Sequence, residues 1–482
     1  MNYRGVFFLL GRLLIALALA LLAPAAVAWF FDDGVWTAFV GPALLAAVAG
    51  IVLQRWNRQE ADFPFSRREA FLLVTAAWVT ASVIGALPYL VLKGPQFAVD
   101  ALFESASGFT TTGASVLADV ENEPHGLLLW RSLTQWLGGM GIIVLGIAIL
   151  PKLAIGGMEL LGAEAPGPMQ EKLTPRIAQT AKYLWGIYAL LTGAEVAVLI
   201  VLGLPPLEAI NHALTTMATG GFSTRNASVA SFASPAIELA VTGFMFLAGV
   251  NFALHFWWLR GRPRRLFGEP EFRFYCGVLL GASLLLALDL VLVDGHRALD
   301  AARLAVFQST SVVTTTGYAT ANFDTWPSFS KVLLFLLMFV GGCAGSTGGS
   351  VKVVRIMIVA KKLVVDLKRL VQPHAVLPVR IGRRAVPEEI VASVTTFFIL
   401  FLTLFAAGGL LLGLMGLDMV SAFSASATCL GNIGPGLGAV GPAATYGPLP
   451  DVAKLLLVGL MIVGRLELYT VLVLVFMWRR TV

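Results

Sequence analysis

The chain has 482 residues, 57% of them hydrophobic and 13% charged, with a mean hydropathy of +0.82. Soluble domains are about a quarter charged, so a water-soluble globule is excluded and a polytopic membrane protein is implied. The net charge of +6 does not argue for nucleic acid, because the basic residues are shared among the loops of one side rather than gathered in a patch; no nucleic-acid partner is expected.

Apolar runs long enough to cross about 30 Å of hydrocarbon as helices lie at 7–31, 37–54, 69–92, 126–150, 180–204, 234–258, 272–293, 328–360, 388–415 and 450–478. The first is longer than a signal-peptide core and lacks a convincing cleavage site, so it reads as a retained helix, paired with the second in a hairpin over 1–68. From residue 69 the chain reads as four units, 69–155, 156–260, 261–370 and 371–482. Each is a spanning helix, a half-helix, a loop and a second spanning helix. The half-helices, Phe97–Phe109, 206–217, 298–313 and 418–430, are too short to cross and must be re-entrant. They run into Phe109-Thr110-Thr111-Thr112-Gly113-Ala114, Met217-Ala218-Thr219-Gly220-Gly221-Phe222, Val313-Thr314-Thr315-Thr316-Gly317-Tyr318 and Gly431-Asn432-Ile433-Gly434-Pro435-Gly436. The central glycines, Gly113, Gly221, Gly317 and Gly434, are 108, 96 and 117 residues apart, which is the signature of an internal repeat. Irregular backbone at membrane depth must face protein or water. The expected fold is therefore all-α: four repeats around a central pore, with an appended N-terminal two-helix hairpin.

A membrane-embedded fourfold Thr-x-Gly repeat has the form of a cation selectivity filter. A dehydrated alkali cation needs a ring of oxygen ligands, and glycine permits the backbone angles that turn carbonyls inward. The candidate filter residues are Thr111, Thr112 and Gly113, Thr219, Gly220 and Gly221, Thr315, Thr316 and Gly317, and Asn432, Ile433 and Gly434. The loops align at one glycine only, so one well-defined ring is expected from Thr112–Gly113, Gly220–Gly221, Thr316–Gly317 and Ile433–Gly434. Half-helix C-termini pointing at the axis also favour a cation. An ordinary Gly-rich turn is the competing reading for any one loop, and four matched positions weigh against it.

Of the 34 Lys and Arg, 26 fall on one side if the runs alternate. By the positive-inside rule that side is cytoplasmic, with both termini inside and the four loops outside. Two of the basic loops, 151–182 and 352–384, hold thirteen of these charges and suit the docking of a soluble partner.

In the third unit, Gly341 to Ser350 carries five glycines in ten residues, each worth up to about 1 kcal/mol against a helix. The stretch is expected to unwind and project into the pore as a gate formed by Gly342, Gly345, Ser346, Thr347, Gly348 and Gly349; close helix packing through small residues competes. Arg465 lies inside the last run, where an unpaired cation on a lipid face is costly. It either stands in the pore below the filter as part of the gate or pairs with Glu467 or another carboxylate. Arg131, Gln135, Glu195 and Asn251 read as helix-packing polar groups, and Glu104 is expected to add negative potential near the mouth.

Cys276, Cys343 and Cys429 give no disulfide framework and no metal site. The five histidines are scattered, and no phosphate-binding or nucleophile motif occurs, so no enzyme and no covalent cofactor are expected. Two rivals to a pore are a symporter coupling entry to H⁺ or Na⁺ through carboxylates such as Glu195 or Asp289, and a membrane-integral enzyme or scaffold.

The four loops, together with Trp130-Arg131-Ser132-Leu133-Thr134-Gln135-Trp136-Leu137-Gly138-Gly139-Met140-Gly141 and Gly342-Cys343-Ala344-Gly345-Ser346-Thr347-Gly348-Gly349-Ser350-Val351-Lys352, resemble the TrkH family of bacterial Trk potassium uptake systems, within the Trk/Ktr/HKT superfamily. The resemblance covers essentially the whole chain. It implies K⁺ uptake across a bacterial inner membrane, with K⁺ held at Thr112, Gly113, Gly220, Gly221, Thr316, Gly317, Ile433 and Gly434. It also implies a homodimer, each protomer with its own pore, bound at the cytoplasmic face by TrkA-type subunits that carry the nucleotide. Gly113 stands where superfamily members favouring Na⁺ have serine, so K⁺ over Na⁺ is expected.

Overall fold

The computed structural model describes residues 3–57, 67–148, 173–382, 384–471 and 474. An N-terminal hairpin of α1 (Tyr3–Phe30) and α2 (Thr37–Trp56) comes first. Its two helices touch at Gly11 and Gly50: a Cβ on Gly11 would lie 2.8 Å from the Gly50 carbonyl oxygen, and one on Gly50 2.7 Å from that of Gly11. No larger residue allows this approach. Leu17, Leu21 and Ala28 of α1 share a core with Phe39, Tyr89 and Trp130, which fastens the hairpin to the first repeat.

The first repeat is α3 (Arg67–Lys93), α4 (Ala98–Phe109) and α5 (His125–Ala148). The second is α6 (Leu173–Val201), α7 (Pro206–Met217), α8 (Pro235–Ala248) and α9 (Phe252–Leu259). In the third, α10 (Pro270–Leu292), α11 (Ala298–Val313), α12 (Ser328–Leu337) and α13 (Val353–Val371) follow one another. The fourth consists of α14 (Glu388–Leu414), α15 (Met419–Gly431) and α16 (Asp451–Arg465). A two-residue ribbon pairing Arg380 with Ala385 and Ile381 with Arg384 is the only sheet among the described residues.

Six described helices are long and apolar enough to cross a membrane, or seven if α8 and α9 count as one span. Of the four expected runs outside this count, 126–150 is the continuous α5, and the other three are interrupted for local causes. The run at 234–258 breaks after Ala248, and α9 leaves α8 at 103°, because Asn251 accepts the Ala253 N–H at 2.9 Å and starts a new helix. The run at 328–360 is interrupted from Met338 to Lys352. The run at 450–478 is interrupted by a turn at Leu466–Leu468, with Glu467 and Leu468 at positive φ, and is helical again at Tyr469.

Helix α10 shows which solvent the molecule meets. Leu280, Leu284, Leu288 and Leu292 form an exposed stripe at every fourth position, while Tyr275, Leu279, Leu286 and Leu290 are buried on the other face. An apolar outer stripe is unfavourable in water and matched by hydrocarbon.

Contacts join the repeats in cyclic order. Arg131 donates to the Ser223 carbonyl at 3.0 Å, Ala230 N to the Ala319 carbonyl at 3.2 Å, Gly438 N to Asp324 Oδ1 at 3.1 Å, and Tyr446 N to the Ser115 carbonyl at 2.9 Å. The last of these closes repeat four onto repeat one, beside a Lys454–Asp100 ion pair of 2.5 Å.

Candidate cation pathway

All four re-entrant helices end in the same way. Two residues past the first three, and one past the fourth, the chain turns left-handed at Thr111, Thr219, Thr315 and Asn432, with φ of 54°, 52°, 60° and 54°. The next residue then bonds back five positions: Thr112 N to the Ser107 carbonyl at 2.8 Å, and Gly220, Thr316 and Ile433 N to those of Thr215, Ser311 and Thr428 at 2.9 Å. This is the glycine-type helix stop built three times with a β-branched residue. Such backbone costs about 1–3 kcal/mol each, whereas asparagine takes it readily. Strain repeated at three equivalent positions marks the loops as shaped for something other than turning the chain.

The glycines two residues later carry φ of 79°, 75°, 80° and 98°. A Cβ on Gly113 would collide with the Gly220 carbonyl oxygen, one on Gly221 with that of Thr316, one on Gly317 with that of Ile433, and one on Gly434 would sit 2.7 Å from that of Thr112. Each glycine thus lies against the carbonyl of the next repeat in cyclic order. The carbonyls of Thr112, Gly220, Thr316 and Ile433 surround one axis, and the sequence-predicted residues are brought together there.

Groups behind the ring hold it. Gln135 spans the second loop, donating to the Gly220 carbonyl at 2.8 Å and accepting from Phe222 N at 3.1 Å. Tyr446 donates to the Gly434 carbonyl at 2.8 Å, and the Tyr318 hydroxyl meets Thr215. Asn432 Nδ2 reaches Thr112 Oγ1 and the Met461 carbonyl, both at 3.0 Å. Arg131 pairs with Glu104 at 2.9 Å and lies 4.2 Å over the Phe222 ring. Glu104 also accepts from Ser115 Oγ and Val116 N, each at 2.9 Å. Its charge is spent inside the protein, contrary to the expectation that it raises negative potential at the mouth, and Arg131 and Gln135 brace the loops rather than merely packing helices. Asp289 is likewise committed, accepting from Ser330 N and Oγ at the start of α12.

Beneath the ring, Met338 to Lys352 crosses as irregular backbone. Thr347 Oγ1 donates to the Met217 carbonyl at 3.1 Å, and Gly349 N to Thr315 Oγ1 at 2.7 Å. The segment thereby touches the undersides of the second and third loops. Cys343 N bonds to the Gly249 carbonyl at 2.8 Å and Phe252 N to that of Gly345 at 3.1 Å, so the break between α8 and α9 cradles it. That break is masked in the sequence by its apolar run; Asn251 as a helix-starting residue is the signal that could have found it.

Arg465 is buried and donates to the Thr347 carbonyl at 2.8 Å and the Gly138 carbonyl at 3.3 Å. It does not pair with Glu467. That carboxylate is held by Arg355, because the turn after α16 points it away. Lys352 caps the neighbouring Gly348 carbonyl. Of the basic docking loops, 149–172 lies outside the described residues, while Lys361 and Arg369 in α13 bond to the carbonyls of Arg380 and Leu377. Among the described residues no group of His, Cys, Asp and Glu could hold a metal ion.

Four re-entrant segments touching in cyclic order inside an apolar helical shell define a polytopic membrane protein. The chain belongs to the TrkH family, described as cation transport proteins, whose model matches residues 43–478. It is 42% identical to the Trk system potassium uptake protein TrkH of Salmonella typhimurium and 41% identical to that of Escherichia coli, over 98% of each chain. The crystal structure of the potassium transporter TrkH from Vibrio parahaemolyticus superposes with a TM-score of 0.91 at 39% identity, covering 98% of both chains. The chain is thus a transport protein and not an enzyme.

Proposed function

We propose that this chain is the membrane subunit of a Trk system and conducts K⁺ into a bacterial cell through a channel-like pore, as a multi-pass inner-membrane protein with both termini cytoplasmic. The observation that carries this reading is the closed ring in which each filter glycine sits against the next repeat's carbonyl. K⁺ binds there at Thr112, Gly113, Gly220, Gly221, Thr316, Gly317, Ile433 and Gly434. Residues 69–155, 156–260, 261–370 and 371–482 act as the four pore repeats. The Met338–Lys352 segment and Arg465 gate the path, since the segment lies directly under two of the filter loops. The working assembly is a homodimer in membrane lipid, with a TrkA-type partner that carries the nucleotide.

Purified protein in proteoliposomes tests this. Flux of K⁺ and Rb⁺ exceeding that of Na⁺ and following the K⁺ gradient alone supports the reading; equal K⁺ and Na⁺ permeability ends it. One observation favours coupled transport instead. Glu195 is fully buried in α6, and neither carboxyl oxygen has a hydrogen-bond partner among the described residues. K⁺ accumulation that requires a proton gradient and is lost in Glu195→Gln would select that mechanism.

A further inference from the structure

Two cations hold the middle of the Met338–Lys352 segment; its limbs are joined by Gly341 N to the Val351 carbonyl at 2.8 Å and Val353 N to the Gly342 carbonyl at 3.2 Å, and a different element clasps them from outside. Glu271, in the first turn of α10, is buried. Its Oε1 accepts from Ala344 N at 2.7 Å and from Val354 N at 3.3 Å. Ala344 lies on the limb that enters the segment, and Val354 lies in the first turn of α13, where the chain leaves it. The first N–H groups of any helix lack intrahelical acceptors. Lys352, which occupies the cap position of α13, makes no side-chain cap and has no acceptor to offer. The carboxyl of Glu271 takes over that task from a neighbouring helix and clasps the entering limb with the same oxygen.

We infer that Glu271 is a latch: a positioning residue that keeps the two limbs of the segment together and so holds it under the filter. The inference rests on the reading of this segment as a gate. Withdrawal of the segment must part Ala344 from Val354 or detach both from Glu271. Loss of the carboxyl therefore loosens the segment without touching the filter ring.

The test uses the full-length protein carrying Cys276→Ser, which leaves two buried reporter thiols. Cys343, next to Ala344, is 1% exposed, and Cys429, in α15 and making no bond to Glu271, is 0% exposed. Maleimide labelling of each is followed by peptide mass spectrometry in Glu271→Gln and Glu271→Leu, alongside K⁺ and Na⁺ flux. Loss of two hydrogen bonds to a buried acceptor shifts a local opening equilibrium by roughly tenfold. Cys343 should therefore label about that much faster in the leucine variant, and by a smaller factor in the glutamine variant, which keeps a neutral acceptor. Cys429 should stay protected, K⁺ flux should rise in the same order, and the K⁺/Na⁺ ratio should hold.

Wild-type labelling and flux in a folded variant overturn the latch, as does a parallel rise at Cys343 and Cys429, which means general loosening. Should the leucine variant fail to fold, the glutamine variant decides alone. A wild type without selective K⁺ flux defeats the gate reading, while the Cys343 rate still reports on the clasp.

Discussion

Two stretches of irregular backbone follow one another along the axis, and they treat their carbonyl oxygens in opposite ways. In the ring, the carbonyls of Thr112, Thr316 and Ile433 accept no hydrogen bond from any described residue, and only that of Gly220 is engaged, by Gln135. In the segment below, the consecutive carbonyls of Thr347 and Gly348 are taken by Arg465 and Lys352. A carbonyl out of contact with water is costly unless it is satisfied. The segment satisfies these oxygens with cations tethered to the chain, and the ring leaves most of its oxygens open. On the proposed reading a mobile cation completes the ring, and the same acceptor chemistry serves as a binding site or as a plug according to which positive charge completes it.

The largest effect on this contrast should come from crowding the ring. Gly113→Ser puts a Cβ against the Gly220 carbonyl, and the K⁺/Na⁺ permeability ratio should fall roughly tenfold, the equivalent of about 1.4 kcal/mol in relative affinity. Gly434→Ser should shift it less, since its Cβ has more room, 2.7 Å from the nearest oxygen. Reversal potentials under bi-ionic conditions measure both.

Removing Gly345–Gly349 takes the plug away without altering the ring. Basal K⁺ flux should rise several-fold and the response to the regulatory partner should shrink; flux at the wild-type level would make the segment packing only. Arg465→Ala discharges the plug but leaves it in place, so a smaller increase is expected. It also leaves the Thr347 carbonyl without its donor, at about 1–3 kcal/mol of stability, visible as a lowered thermal transition. Gln135→Ala tests the ring's support. Phe222 N loses its acceptor, and the expected result is reduced selectivity with little change in total flux. The smallest effect lies furthest from the axis: charge reversal at Lys361, Lys362, Lys368 and Arg369 should weaken partner binding in a salt-dependent way, as pull-downs across a salt series would register.

Much of this arrangement is legible in the residues. Helices expected over 206–217 and 298–313 are Pro206–Met217 and Ala298–Val313, because proline or a polar boundary opens each and a Thr/Gly string stops it. The unwinding at Gly341–Ser350 follows from glycine density, and it extends a few residues further at both ends, from Met338 to Lys352. Less local features escaped. Glu104 and Arg131 are 27 residues apart and Glu271 is 73 from Ala344; nothing in helical periodicity links such pairs. The break at Gly249–Asn251 is hidden because hydropathy ignores the difference between a straight helix and two short ones. Arg465 met carbonyls rather than a carboxylate, a choice that only the unwound neighbour makes available.

The seam between the last repeat and the first has a consequence for how the molecule is made. Asn432 reaches Thr112 across 320 residues, and Lys454 reaches Asp100 across 354. The entropy of closing so long a loop rises only logarithmically with its length, so distance alone does not forbid the contact; it dictates a schedule. Synthesis from the N-terminus presents the first three sides of the ring before the fourth exists. Until Met419–Gly431 and Asp451–Arg465 arrive, the Thr112 hydroxyl lacks its Asn432 partner and Asp100 its counter-ion. The ring of four loops is therefore closed in one late step, and a chain interrupted before that step holds only three of its four sides.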